Sequence, residues 1–208
     1  MTTPLGTLEW IEEGDRVVAV SRQTRETRVS VKVALDGTGS TSISTGVGFY
    51  DHLLTSLGHH ALFDLEIEAT GDLEVDDHHT VEDVALVLGA AIARALGDRA
   101  GIRRFGDAVV PMDEAIASVA IDLGGRPYAV IDLPFRAERM GSLSTQMVEH
   151  ALEAFARAAG ATLHVRGTGR NDHHLAEATF KALARALRIA SEADPRRSGV
   201  ASTKGSAS

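Results

Sequence analysis

Six of the nine histidines stand in two matched sets, each with a glutamate close behind. Asp77-His78-His79-Thr80-Val81-Glu82 and Asp172-His173-His174-Leu175-Ala176-Glu177 both read D-H-H-x-x-E, and each opens a stretch with helical periodicity. Residues three and four apart share a helix face, so His78 and His79 lie near Glu82, and His173 and His174 near Glu177. Imidazole nitrogens with a carboxylate are donors for a first-row divalent cation, and the absence of cysteine removes thiolate ligands. Neighbouring helical residues point about 100° apart, so two adjacent imidazoles suit two different ions better than one. A further histidine precedes each pair: His52 in Tyr50-Asp51-His52-Leu53 and His150 in Val148-Glu149-His150-Ala151. Eight donors then divide into two sites of three histidines and one glutamate. The spacing sets His78 with Glu82 on one ion and His173 with Glu177 on the other. His79 and His174 cross to the opposite sites, and His52 and His150 complete them. Asp77 and Asp172 read as helix N-caps. His59 and His60 read as cations following a helix, and His164 as a strand residue without a metal.

These donors need elements to hold them. Alternation marks strands at Arg16–Val20 and Arg28–Leu35, with Ser40–Thr45 as a short partner strand after the Asp36–Gly39 turn. A helix over Tyr50–Leu57, a strand over Phe63–Ala69 and a helix over Val81–Leu96 follow, the last stopped by Gly97. Strands at Ala115–Leu123 and Tyr128–Leu133, a helix at Thr145–Ala159, a strand at Thr162–Arg166 and a helix at Leu175–Ala190 repeat the order. The lone histidine precedes its pair by 26 residues in one half and 23 in the other (52 to 78, 150 to 173). The sequence therefore predicts an α+β fold built as an internally duplicated pair of sheet-plus-helices halves, related by a pseudo-twofold. Residues 1–98 form the first half, 99–194 the second, and 195–208 a mobile tail rich in Gly, Ser and basic residues.

Composition narrows the function. The chain has 208 residues, 44% hydrophobic and 24% charged, which suits a globular protein with a sizeable core. No apolar run is long enough to span a membrane, and the N-terminus has no secretory pattern, so a cytoplasmic home is expected. A net charge of −8 argues against nucleic-acid binding.

The motifs together resemble those of the imidazoleglycerol-phosphate dehydratase family. D-H-H-T-V-E-D at 77–83, N-D-H-H-L-A-E-A-T-F-K at 171–181 and S-T-K-G at 202–205 carry the resemblance. R-x-T-x-E-T at 22–27, F-Y-D-H-L-L at 49–54, R-R-F-G at 103–106 and P-M-D-E-A at 111–115 agree with it. Val200-Ala201 departs from an Ile-Pro common in that family. The resemblance implies a lyase of L-histidine biosynthesis that dehydrates D-erythro-imidazole-glycerol phosphate to imidazole-acetol phosphate. It implies two Mn2+ ions, whose Lewis acidity holds the substrate imidazole as an anion that expels the adjacent hydroxyl. It also implies a homo-oligomer of 24 subunits. Glu26 is placed at the substrate as the proton-transferring carboxylate. Arg104, Arg126, Lys181, Ser202, Thr203 and Lys204 are placed around the substrate phosphate, which guanidinium groups recognise through paired donors. The basic tail would close over it as a lid. Two rivals share the ligand inventory: a binuclear metallohydrolase of phosphate esters, and a metal-dependent structural or storage assembly.

Overall fold

β3 (Thr27–Ala34) shows how the sequence builds the first half: Val29, Val31 and Val33 are fully buried, Ser30 and Lys32 between them are half-buried, and Arg28 before them faces water. It is flanked by β2 (Val17–Gln23) and β5 (Asp64–Gly71), with β1 (Leu8–Gly14) and β4 (Thr41–Ser44) at the edges. The computed structural model describes residues 7–204 and gives this sheet the order β1-β2-β3-β5-β4. α1 (Gly48–Ala61) and α2 (His78–Ala95) belong to the same half. The second half holds β6 (Phe105–Met112), β7 (Ala115–Asp122), β8 (Tyr128–Asp132), the two-residue strands β9 (Arg139–Met140) and β10 (Leu143–Ser144), α3 (Thr145–Ala159), β11 (Thr162–Thr168) and α4 (Asp172–Ser191). Its main sheet has the order β6-β7-β11-β8. Each half thus repeats hairpin, helix, strand, helix, and the architecture is α+β and duplicated.

The helices of the two halves pack on each other between the sheets. α2 lies on β2 and β3 and meets α3, while α4 lies on β6 and β7 and meets α1. Such a position buries a helix nearly all round, and from Val81 to Ala91 only Glu82 on α2 is more than marginally exposed. Gly89 permits the α2–α3 approach: a Cβ there would sit 2.6 Å from the Phe155 carbonyl and 2.9 Å from Ala158 Cβ. Cross-half helix pairing is what brings donors from different halves together.

Several expectations are corrected. The Ser40–Thr45 strand pairs parallel with β5 and not with β3. β1 and β6 were not expected: β6 carries Gly106 and Pro111, both poor strand residues, and β1 is a mostly exposed edge. α2 begins at His78, three residues before the apolar run, because its first turn is polar. α1 reaches Ala61 and so contains His59 and His60. The tail does not hang free through Ala201. Asp194 and Gly101 pair N–H to carbonyl, Gly101 N–H reaches Gly199, and Ala100 and Val200 form an antiparallel bridge. Backbone pairing overrides what its Gly- and Ser-rich composition suggests. Residues 205–208 of the tail lie outside the described residues.

Candidate metal centre

Two groups of donors form within the chain, one at each cross-half helix contact. His52 on α1 meets His173 and Glu177 on α4, and His78 and Glu82 on α2 meet His150 on α3. In each group the donor atoms all lie within 4.8 Å of one another. In the first, His52 Nε2 is 3.1 Å and His173 Nε2 3.3 Å from Glu177 Oε2. In the second, His150 Nε2 is 3.1 Å from Glu82 Oε1 and His78 Nε2 is 4.0 Å from Glu82 Oε2. The i,i+4 pairs are as the spacing predicts. The lone histidines are exchanged: the first half's His52 serves the second half's pair, and His150 the reverse.

The residues fit a divalent cation. Each group offers two imidazole nitrogens and a carboxylate oxygen, a borderline-to-hard set suited to Mn, Fe, Co, Ni or Zn. His150 Nε2 is buried and faces the Glu82 carboxylate without forming a well-aligned hydrogen bond to it. Burial pushes the Glu177 carboxyl up, but the Lys181 ammonium at 2.7 Å and His52 outweigh it and hold the group at about 2. Glu177 is therefore a carboxylate near neutrality. Glu82 has an ion-pair partner too, Arg157 on α3 at 3.2 Å. Phe49 lies against the first group, 4.7 Å from the His173 ring and 6.0 Å from His52.

His79 and His174 join neither group. His79 Nδ1 meets Asp72 at 3.0 Å, and His174 Nδ1 meets Glu114 at 2.9 Å. Each carboxylate raises the pKa of its histidine. A carboxylate on Nδ1 fixes the ring and turns Nε2 outward, the arrangement found behind metal-bound histidines. Asp72, Glu114, Arg157 and Phe49 were not assigned from sequence, although P-M-D-E already contained Glu114 and F-Y-D-H contained Phe49.

The motif aspartates are not caps of their own helices. Asp77 makes no side-chain cap bond; its buried carboxylate accepts from the Ser144 N–H (2.6 Å) and hydroxyl (2.7 Å), tying the start of α2 to the start of α3. Asp172 accepts from the N–H groups of Arg136 and Ala137, and Asn171 caps α4 in its place. Each bond fixes the turn from which the neighbouring histidine projects.

The remaining candidates scatter by chemistry. Glu26 is exposed on the β2–β3 loop, and its side chain makes no hydrogen bond or ion pair among the described residues. Arg104, at a left-handed φ of 74°, is engaged bidentately by Asp122 (2.6 and 2.9 Å) and donates to the Ala201 carbonyl at 2.6 Å. It grips the base of the tail and does not stand open to water. Ser202 follows that grip, and Thr203 and Lys204 are exposed. Arg126 is exposed on the β7–β8 connection. His164 lies on the exposed face of β11. Among the described residues no helix is long and apolar enough to cross a membrane.

Comparison with known proteins agrees with this geometry. A family model described as imidazoleglycerol-phosphate dehydratase matches residues 45–187, a span that contains both donor groups. Relatives of that name include one from Gluconacetobacter diazotrophicus, 53% identical over 91% of this chain and 97% of its own length. Another, from Pisum sativum and named as chloroplastic, is 55% identical over 91% of this chain and 68% of its own length. The crystal structure of the Staphylococcus aureus enzyme of that name superposes with a TM-score of 0.78 at 35% identity, covering 86% of this chain and 99% of that one. The structure from Pyrococcus furiosus gives a TM-score of 0.74 at 33% identity, covering 89% and 99%. With the motifs, the duplicated halves and the paired donor groups all accounted for, the chain belongs to the imidazoleglycerol-phosphate dehydratase family.

Proposed function

We propose that this chain is a lyase that removes water from D-erythro-imidazole-glycerol phosphate, giving imidazole-acetol phosphate in L-histidine biosynthesis, in the cytoplasm. The observation that carries the reading is the pair of three-donor groups at the two cross-half contacts. His52, His173 and Glu177 would hold one Mn2+, and His78, Glu82 and His150 the other. His79 and His174, oriented by Asp72 and Glu114, would complete sites on neighbouring copies, in keeping with the homo-oligomer of 24 subunits that the family resemblance implies. Bound Mn2+ supplies Lewis acidity toward the substrate imidazole.

The chain's own groups do the rest. Glu26 removes the proton from the carbon beside the one that loses hydroxyl. That C–H electron pair becomes the enol double bond as the neighbouring C–O bond breaks, the departing hydroxide takes a proton from solvent and leaves as water, and the enol then tautomerises to the ketone. Glu26 immediately precedes Thr27 and Asp72 immediately follows Gly71, the pair that ends the β3–β5 register, so Glu26 shares a corner with His79. Its charge contributes to the raised pKa of His79. Arg126, Lys181, Ser202, Thr203 and Lys204 bind the phosphate, and Arg104 contributes by holding the tail at Ala201.

Stripping the protein with a chelator and rebuilding it with Mn2+ tests the reading. Ketone formation that returns with two ions per chain supports it. Phosphate release without ketone would show the metallohydrolase, and an assembled, loaded but inert protein would show a structural metal role.

A further inference from the structure

Asp83 is buried in the first turns of α2, next to Glu82, yet it faces away from the metal donors. Its carboxylate takes the guanidinium of Arg22 on β2 and the hydroxyl of Thr27 at the start of β3. The Thr27 hydroxyl also lies 3.1 Å from the Thr24 hydroxyl, whose oxygen accepts the N–H of Glu26 at 3.1 Å and that of Thr27 at 2.9 Å. The loop carrying Glu26 is thereby tied to α2 through both of its strands.

A buried ion pair is poor value as a stabiliser, because desolvating both charges offsets most of their attraction. Among the described residues Glu26 has no side-chain partner of its own, so what anchors it is its backbone, whose N–H is held by the Thr24 hydroxyl. A proton-transferring group must sit within hydrogen-bond reach of its target, and an error near 1 Å costs on the order of a hundredfold. We propose that Asp83 is a positioning residue for the dehydration: through Arg22, Thr27 and Thr24 it fixes the Glu26 carboxylate relative to the metal-bearing helix α2. The proposal rests on the assignment of Glu26 made above.

The test uses the full chain loaded with Mn2+ and Thr27→Val, which removes the hydroxyl link at nearly constant volume without orphaning a buried charge. Expected is a kcat loss of about tenfold to a hundredfold. KM and metal content stay near wild type, and Thr27→Ser restores most of the rate. In a Glu26→Gln background, Thr27→Val should then cost less than about twofold, since it acts through the group already removed. An equal loss in both backgrounds, a loss of metal, or a normal kcat in Thr27→Val while Glu26→Gln is inactive overturns the positioning role and leaves Glu26 standing. A normal kcat in Glu26→Gln overturns the Glu26 assignment and this proposal with it. Should Thr27→Val fail to fold, Thr24→Ala carries the same comparison, because its hydroxyl oxygen receives the Glu26 N–H.

Discussion

The corner of the first half that carries Glu26 and the corner of the second that carries Glu114 are equivalent in the duplication but wired differently. In the second half the β6–β7 turn has two residues, Asp113 and Glu114, and three residues, Gly169 to Asn171, join β11 to α4. The tight geometry draws Glu114 onto the N–H groups of Arg170 and Asn171 and onto His174, whose hydrogen bond leads in holding it at about 2. In the first half the loop between the paired Gln23 and Arg28 has four residues, and six, Asp72 to Asp77, join β5 to α2. The longer connection supplies Asp72 as the partner of His79, which frees Glu26 from that task. Two loop extensions thus separate one duplicated carboxylate into a histidine anchor and an uncommitted acid. The two donor groups, by contrast, keep the pseudo-twofold, each offering two imidazoles and one carboxylate.

The sharpest way to break this comparison is to neutralise each carboxylate in turn. Glu26→Gln should lower kcat by about 10^2- to 10^4-fold with metal content intact, the range for a lost acid–base group. Glu114→Gln should instead weaken metal affinity by about 10- to 100-fold, and excess Mn2+ should recover turnover. Equal phenotypes would mean the two corners are not specialised. Next in size, Glu82→Gln and Glu177→Gln should each leave about one of the two ions at equilibrium, read by elemental analysis. Loss of both ions from either variant would show that the two groups do not bind independently. Deleting the residues after Arg197 removes Gly199, Val200 and Ala201, which pair with the segment before β6, along with Lys204. KM should rise steeply with metal retained; an unchanged KM would remove the tail from the substrate site. The smallest effect is expected from Gly89→Ala, which overpacks α2 against α3 but leaves α1 and α4 alone. It should cost about 1–3 kcal/mol and lower Tm by several degrees. The His78–Glu82–His150 group should weaken more than the other.

How much could be read in advance depended on how local each feature is. α3 runs over Thr145–Ala159 as the periodicity predicts, because Ser144 and Gly160 bound it and one stripe of it is apolar. β6 escaped because Pro111 and Gly106 weaken its pattern, and only its place beside β7 and beneath α4 makes it a strand. β4 was visible as a strand but not in its pairing, since a parallel partner is chosen by the crossover through α1. The i,i+4 pairs His78–Glu82 and His173–Glu177 were legible because a helix fixes that spacing by itself.

The sequence by itself determined the donor inventory: six histidines and two glutamates in repeated order, with no thiolate, on helices its periodicity marks. What only the tertiary structure decided is which donors meet. His52 goes to Glu177 and His150 to Glu82 because α1 packs on α4 and α2 on α3 across the halves. That choice, and the engagement of Glu114 by His174 while His79 takes Asp72, belong to helix packing and loop length. Contacts between residues far apart in the chain depend on shapes that no local spacing encodes.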